Sequence, residues 1–206
     1  MLRINSALGF AQYRLVPILA EFMARHPQLR VEFVLTAAPV DLIEQQIDVS
    51  LRSGYIPDSS LVAKRIACVR WIVCAAPRYL ARAGTPNKLE DLQHHNCLNL
   101  LPGSFRSSWP MRDGGGHETD IDVRGNVGSN SPDLLRALAL EGLGIVRLSE
   151  FLMGHDITRG ALVPVLHPLQ ADTEEPVFAV FASKRNLSTR VKLFLDFLEE
   201  RLAGQH

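Results

Sequence analysis

The sequence predicts an α/β fold built from two lobes of similar construction with a ligand-binding cleft between them. Strand and helix patterns alternate through residues 1–51, which favours a parallel sheet with right-handed crossovers. A second strand–turn–helix–strand pattern occupies residues 125–151. Because 47% of the 206 residues are hydrophobic, the chain can bury a sizeable core.

The first lobe follows from the alternation of apolar and polar residues. Apolar residues at helical spacing end at His26-Pro27, which stops the first helix. The expected elements are a strand at 2–5, a turn at 6–9, a helix to residue 25, a strand at 31–36, a short helix at 40–46 and a strand at 47–51.

The second lobe is predicted from shorter elements. These are strands near 61–66 and 69–76, helical pieces at 79–83 and 89–94, and a strand at 97–101. Residues 103–120 are poor in apolar residues and contain Gly114-Gly115-Gly116, which indicates a mobile hairpin.

Residues 125–151 carry the most informative local pattern. Ser131 suits a helix N-cap, Pro132 suits the first helical position, and Gly142 ends the helix before a strand that begins at Ile145. The remaining expected elements are a helical stretch after residue 148, strands at 162–166 and 176–182, and a final amphipathic helix capped by Ser188.

Composition excludes several classes of protein. A formal net charge of zero argues against a large nucleic-acid-binding face on this segment. The apolar runs are too short for a membrane span, and the N-terminus has no signal-peptide pattern. Cys68, Cys74 and Cys97 are odd in number, so we expect reduced thiols in a cytoplasmic protein.

Catalytic and metal-binding patterns are weak. No Gly-x-Ser-x-Gly elbow occurs, and the triple glycine lacks the flanking strand and helix of a phosphate loop. His94, His95 and Cys97 lie close together but have no second ligand pair, so an exposed helix end is the expected interpretation. We therefore expect neither an enzyme nor a metal or cofactor site.

Candidate ligand-binding residues follow the carboxyl ends of predicted strands, where open α/β sheets bind small molecules. They are Gly9, Thr36, Ala37, Arg52, Ser53, Ser129, Asn130 and Ser131. Arg147 is a further candidate, because it lies within the otherwise apolar strand IVRL. For each charged or polar candidate, a purely structural role remains the alternative to ligand binding. Arg52 pairs with a ligand carboxylate or with a structural partner, and Ser129–Ser131 bind ligand or cap the helix. Arg147 reaches the cleft or lies at an exposed edge.

Several segments resemble one known family in order and spacing. They are LRINSALGF, LVPILAEFMARHPQLRVEF, VDLIEQQIDVSLRSG, CAAPRYLARAGTP, LALEGLGIV, ALVPVL and PVFAVFASKRNLSTRVKLFLDFL. Across essentially all 206 residues, the chain resembles the C-terminal effector-binding domain of a LysR-type transcriptional regulator.

The resemblance implies two Rossmann-like subdomains joined by a hinge, as in type 2 periplasmic binding proteins. Subdomain I would comprise residues 1–75 and 182–206, and subdomain II residues 76–181. A small-molecule effector would bind between them and alter the geometry of a homodimer or tetramer. DNA binding would belong to an N-terminal winged helix–turn–helix domain, which no part of this sequence matches, and no membrane partner is expected.

By position, the resemblance places effector contacts at Gly9, Thr36, Ala37, Arg52, Ser53, Leu101, Pro102, Ser129, Asn130 and Arg147. The chain departs from the family pattern at some of these positions. Gly9 removes a side-chain hydroxyl, and Arg147 replaces a small or aliphatic residue. These departures favour an anionic or carboxylate-bearing effector.

Two other functions compete with a regulatory domain. A transporter's solute-binding protein shares the two-lobe fold, and an enzyme on this fold would need a catalytic constellation. For assembly, the resemblance suggests dimer contacts through Leu15, Ile18, Phe22 and the face around 135–139, with ordinary core as the alternative.

Overall fold

A computed structural model describes residues 1–38, 40–54, 61–101, 108–171, 174–182 and 187–202. The β-strands in these ranges are β1 (Leu2–Ser6), β2 (Val31–Leu35), β3 (Val49–Ser53), β4 (Val62–Val69), β5 (Trp71–Ala75), β6 (Cys97–Leu100), β7 (Ser108–Arg112), β8 (Glu118–Asp122), β9 (Gly128–Ser129), β10 (Ile145–Ser149), β11 (Val163–Pro164) and β12 (Glu175–Phe181). The α-helices are α1 (Leu8–Phe10), α2 (Val16–Arg25), α3 (Pro77–Ala83), α4 (Pro132–Leu140), α5 (Glu150–Thr158) and α6 (Thr189–Leu202). A π-helical turn at Ala11–Leu15 joins α1 to α2, and 3₁₀ turns lie at Leu89–His94 and His167–Leu169.

The chain forms two compact units. The first contains Met1–Val69 and Glu174–His206, and the second contains Arg70–Thr173. These boundaries lie a few residues earlier than those expected from the family resemblance, 75/76 and 181/182. The reason is strand pairing, because β5 pairs with β10 in the second unit, whereas β12 pairs with β3 and β4 in the first.

The first unit is built on a five-stranded sheet of order β2-β1-β3-β12-β4. Strand β1 runs parallel to both β2 and β3, as the alternation of strands and helices predicted. Strand β12 is antiparallel to β3 and β4. The carboxyl ends of β1, β2 and β3 therefore meet at one edge of this sheet.

The first predicted helix forms, but it contains a π-helical turn. This turn lies directly before Pro17. Pro17 has no backbone N–H to donate to the carbonyl of Tyr13, and its ring crowds that carbonyl. The helix therefore widens before it continues as α2 to Arg25.

Aromatic side chains fill the core beside α2 and α6. Phe22 is fully buried, with ring centroids 5.4 Å from Phe194 and 5.2 Å from Phe197. The apolar face of α6 is buried as its spacing predicted. The predicted cap differs, because the Ser188 carbonyl accepts from the N–H of Val191, whereas Ser188 Oγ is buried without a hydrogen bond to any described residue.

The helix predicted at 40–46 is wrong, because the residues described there form turns. Asp41 Oδ1 accepts hydrogen bonds from the N–H groups of Ile43 and Glu44, at 2.8 and 2.9 Å. Gln46 then adopts a left-handed conformation with φ 53°, which ends the helical path before β3.

The second unit has a five-stranded sheet of order β11-β5-β10-β6-β9. Strand β10 is parallel to β6, β6 is parallel to β9, and β5 is antiparallel to β10. Its core includes Met111, which is fully buried, and Trp109. The hairpin expected within 103–120 is formed by β7 and β8.

The turn and helix predicted within 125–151 are confirmed in detail. Ser131 Oγ accepts a hydrogen bond from the N–H of Leu134 at 3.3 Å. Gly142 has φ 68°, and the N–H of Leu143 donates to the carbonyl of Leu138 at 3.0 Å. This pattern is a Schellman ending, which requires a residue that tolerates positive φ.

Candidate functional site

Three polar side chains are buried in the first unit, two at the carboxyl end of β1 and one beside them on β3. Asn5 is 2% exposed, and Ser6 and Ser50 are fully buried. Asn5 and Ser50 are register partners on neighbouring parallel strands, and Ser50 Oγ donates to Asn5 Oδ1 at 2.7 Å. The Asn5 amide nitrogen donates to the carbonyls of Val34 and Thr36, at 2.9 and 3.3 Å.

Arg52 extends this polar cluster. Its Nε donates to Ser50 Oγ at 2.9 Å, and its Nη2 donates to the carbonyl of Val40 at 2.8 Å. Desolvation by burial lowers the pKa of the Arg52 guanidinium. Among the described residues, no carboxylate forms an ion pair with Arg52, so its charge is held by neutral oxygen acceptors.

The remaining candidates of the first unit surround this strand edge. The Thr36 N–H donates to the Ser6 carbonyl at 3.0 Å, and Thr36 Oγ1 accepts from the N–H of Ala38 at 3.1 Å. Ala37 is exposed in the bend after β2, Gly9 lies in α1, and Ser53 is the exposed last residue of β3. Thr36 and Ala37 thus follow β2 as predicted, whereas Gly9 lies in a helix and not in the turn predicted at 6–9, and β3 extends beyond its predicted end at 51 to include Arg52 and Ser53.

In the second unit, Ser129 and Ser131 organise the turn before α4. Ser129 is buried, and its Oγ accepts from the N–H of Ser131 at 3.0 Å. The Leu101 N–H donates to the Ser129 carbonyl at 3.1 Å, so the ends of β6 and β9 meet here. Asn130 is exposed between the two serines, and Pro102 lies outside the described residues.

Arg147 lies on β10, the central strand of the second sheet. It is therefore not on an edge strand, which excludes one of the two sequence interpretations. Its guanidinium carbon lies 5.2 Å from the ring centroid of Trp71, a cation–π arrangement. Trp71 begins β5 and pairs with Ser149, so the pair lies near the carboxyl end of β10.

Helices α4 and α5 are joined by a buried charge cluster that sequence reasoning missed. Arg136 Nε donates to Asp156 Oδ2, and Arg159 Nη2 donates to Oδ1 at 2.9 Å. Burial by itself raises the pKa of Asp156, but the hydrogen bonds from Arg136 and Arg159 outweigh it, so the pKa is lowered. This cluster fixes the helix that follows the Ser129–Ser131 turn.

Two of the three residues considered as metal ligands at 94–97 have hydrogen-bond partners within the fold. His95 Nδ1 lies 3.1 Å from Tyr79 Oη, and the buried Cys97 Sγ donates to the Leu92 carbonyl at 3.7 Å. Within the ranges that the structure describes, no group of three or more His, Cys, Asp or Glu side chains could hold a metal ion. Those ranges also contain no helix long and apolar enough to cross a membrane.

Comparison with known proteins identifies the family. The family model described as LysR substrate binding domain matches residues 1–203. This chain belongs to the LysR substrate binding domain family.

Named relatives agree with this assignment. The HTH-type transcriptional regulator CrgA of Neisseria meningitidis serogroup B is 37% identical over 205 residues, which are 99% of this chain and 68% of CrgA. The transcriptional activator TtdR of Escherichia coli K12 is 32% identical, over 96% of this chain and 63% of TtdR. The solved CrgA regulatory domain is 36% identical, with a TM-score of 0.89 over 98% of each chain.

These findings confirm the sequence prediction of fold and function class. The chain is the effector-binding domain of a LysR-type transcriptional regulator, with the α/β fold of two Rossmann-like subdomains found in that family. The relatives are regulators and not solute-binding proteins of transporters, so the transporter hypothesis is rejected.

The structure joins some of the predicted LysR-domain site residues by hydrogen bonds. Thr36 and Arg52 share one network through Asn5 and Ser50, and Ser129 binds the backbone of both Leu101 and Ser131. Sequence reasoning missed Asn5 and Ser50. Their signal was a polar side chain beside buried apolar residues of a strand, next to Ile4 in LRINS and between Val49 and Leu51 in VSLRS.

Proposed function

We propose that this LysR effector-binding domain senses a small anionic molecule through a carboxylate held by Arg52. The observation that supports this proposal is the half-buried Arg52 guanidinium, which has neutral acceptors but no carboxylate partner among the described residues. A charge removed from water is costly unless an opposite charge or good hydrogen bonds compensate it. A bound carboxylate would supply that compensation.

We further propose that turns of both units contact the effector. The N-terminus of α4 carries the positive end of the helix dipole, which favours negative charge. The proposed contacts besides Arg52 are Gly9, Thr36, Ala37, Ser53, Leu101, Pro102, Ser129, Asn130, Ser131 and Arg147.

A thermal-shift screen tests the carboxylate requirement. Mono- and dicarboxylic acids are compared with their amides, because each pair has the same shape and differs in charge. A ligand that binds the folded state raises the melting temperature by mass action. We expect shifts with acids but not with the matched amides.

The variant Arg52→Ala then tests whether Arg52 binds the carboxylate. We expect it to weaken affinity for any acid found in the screen about 10- to 100-fold, as for the loss of a charged hydrogen bond worth roughly 1.5–3 kcal/mol. Arg30→Ala is the matched control, because Arg30 is exposed directly before β2, at the opposite end of the parallel strands. Equal affinity of the parent chain and Arg52→Ala would contradict the proposal.

The functions of the whole regulator are also proposals, since this chain spans 68% of CrgA and 63% of TtdR. We propose a cytoplasmic protein without catalytic activity that binds DNA through a separate N-terminal winged helix–turn–helix domain. Effector binding would change the geometry of its homodimer or tetramer. A gel-shift titration of the full-length regulator with and without effector tests this coupling.

The proposed self-association surface needs a correction. Leu15, Phe22, Leu135 and Ala139 are buried within their own units, so the core interpretation holds for them. On the same helices, Val16 and Leu134 are 58% and 50% exposed. We propose these two as dimer contacts, and monomeric sedimentation of this chain at high concentration would count against them.

A further inference from the structure

We propose that Asn5 and Ser50 are positioning residues that fix the Arg52 guanidinium so that one of its edges can receive a carboxylate. This inference rests on the proposed function, because it explains how Arg52 would recognise two coplanar oxygens. It concerns specificity within the first unit and involves side chains to which the family resemblance gave no role.

The order of donors and acceptors in the cluster is fully determined. Both N–H groups of the Asn5 amide have acceptors in the carbonyls of Val34 and Thr36. The amide oxygen therefore faces Ser50 and must accept, so the Ser50 hydroxyl must donate its one proton to it at 2.7 Å. Ser50 Oγ is left as an acceptor, which matches the Nε–H of Arg52 at 2.9 Å.

The same cluster determines which Arg52 donors remain. A guanidinium group carries five N–H donors. Nε–H binds Ser50, and one N–H of Nη2 binds the Val40 carbonyl. Among the described residues, the two N–H groups of Nη1 and the second one of Nη2 have no hydrogen-bond partner.

We assign the Val40 carbonyl to the N–H of Nη2 on the Nε side, beside the bond to Ser50. This assignment leaves the edge formed by Nη1 and Nη2, with two nearly parallel N–H groups. Such an edge matches the two oxygens of a carboxylate. A rigid network loses little entropy on binding, since its donors are already oriented. Loss of the Ser50 hydroxyl would release Nε and allow the guanidinium to rotate away from this geometry.

Formate is a suitable probe, because it is the smallest carboxylate and needs no other part of the effector pocket. Formamide is the matched neutral compound. The ¹⁵N-labelled 206-residue chain is titrated with each, and the Arg52 Nε–H signal is assigned by its loss in Arg52→Lys. We expect a saturable shift of the Arg52 signals with formate and none with formamide.

Ser50→Ala tests positioning, with Ser6→Ala as control. Ser6 is an equally buried serine at the end of β1, and its Oγ donates to the Ala7 carbonyl and not to Arg52. We expect Ser50→Ala to weaken formate binding five- to tenfold and to accelerate exchange of the Arg52 Nε proton with water. Ser50→Thr, which keeps the hydroxyl, should restore both properties.

The outcomes separate this inference from the proposed function. The positioning role of Ser50 would be overturned if the parent chain and Ser50→Ala had equal formate affinity and equal Nε proton exchange. Arg52 would then remain as the anion contact. Absence of any formate-induced shift at Arg52 in the parent chain would overturn the proposed function. If Ser50→Ala does not fold, the exchange of the Arg52 Nε proton with water in the parent chain is the test. Fast exchange there would overturn the inference.

Discussion

Asp156 is completely buried on α5, and it joins α5 to α4 within the second unit of this LysR domain. Replacement by asparagine keeps the shape of the side chain and removes its negative charge. The hydrogen bonds from Arg136 and Arg159 then lose their ionic character. We predict that Asp156→Asn lowers the free energy of unfolding of the second unit by about 3 kcal/mol.

The magnitude follows from the exposure of the two arginines. Removal of one member of a fully buried ion pair costs about 3–5 kcal/mol. The Arg159 side chain is 53% exposed and regains water, whereas the Arg136 side chain is only 22% exposed and keeps most of the penalty. We therefore expect the lower end of the range, which corresponds to a melting temperature lower by roughly 6–12 °C for a chain of this size.

The tryptophans provide a selective assay. Trp71 and Trp109 are the two tryptophans of the chain, and both belong to the second unit. Urea denaturation followed by tryptophan fluorescence therefore reports the unfolding of that unit. Glu150→Gln is the control, because it removes an exposed carboxylate from the first turn of α5 and should cost less than about 1 kcal/mol.

The pH dependence gives the refuting test. Because the pKa of Asp156 is lowered in the folded chain, its stabilisation is present above the ordinary aspartate value of about 3.9 and is lost as the pH falls through the folded-state value. The difference between parent and Asp156→Asn should stay constant from about pH 5 to 8 and shrink below about pH 4. A difference that persists unchanged at pH 3, or one below about 1 kcal/mol at pH 7, would refute the reasoning.

Two further predictions use the same unfolding and labelling methods. Ser131→Ala should destabilise the second unit by about 1 kcal/mol, because the N–H of Leu134 loses its cap. Ser131→Asp should retain most of the stability. An unchanged urea midpoint in Ser131→Ala would show that the hydroxyl does not cap the helix. Burial raises the pKa values of Cys74 and Cys97 to about 12, and both thiols are buried. Burial also raises the pKa of Cys68, but this thiol is only half-buried. Ellman's reagent at pH 8 should therefore titrate one thiol in the folded chain and three after unfolding. Rapid labelling of a second thiol in the folded chain would contradict that assignment.

The elements that sequence predicted best are those whose signals are local. Ser131 and Gly142 delimit α4 because an N-cap hydroxyl and a positive φ are properties of single residues in their own turns. The helix predicted at 40–46 failed because Asp41 binds its neighbours' N–H groups and Gln46 turns left-handed, which apolar spacing does not report. The boundaries of the two units depend on strand pairing, because β5 and β12 pair with strands distant in sequence.

The residues of the candidate site also differ in how well the sequence predicted them. Arg52 was predictable because it directly follows the predicted strand at 47–51, at the end where open α/β sheets bind ligands. Asn5 and Ser50 were not, because their bond depends on the register of two parallel strands whose paired residues lie 45 positions apart. The Arg136–Asp156 pair likewise joins two helices, and neither residue has an unusual neighbourhood in the sequence.

The two arginines first predicted as anion contacts now differ in what compensates their charges. The guanidinium of Arg147 lies over the Trp71 ring, and a cation–π contact contributes roughly 0.5–2 kcal/mol, depending on desolvation. Arg52 is instead fixed by two neutral acceptors, and the described residues leave three N–H donors of its guanidinium without a hydrogen-bond partner. A ligand carboxylate at Arg52 gains a preoriented, partly desolvated charge, whereas at Arg147 it gains a charge already stabilised by the indole ring. Arg52→Ala should therefore reduce anion affinity more than Arg147→Ala does.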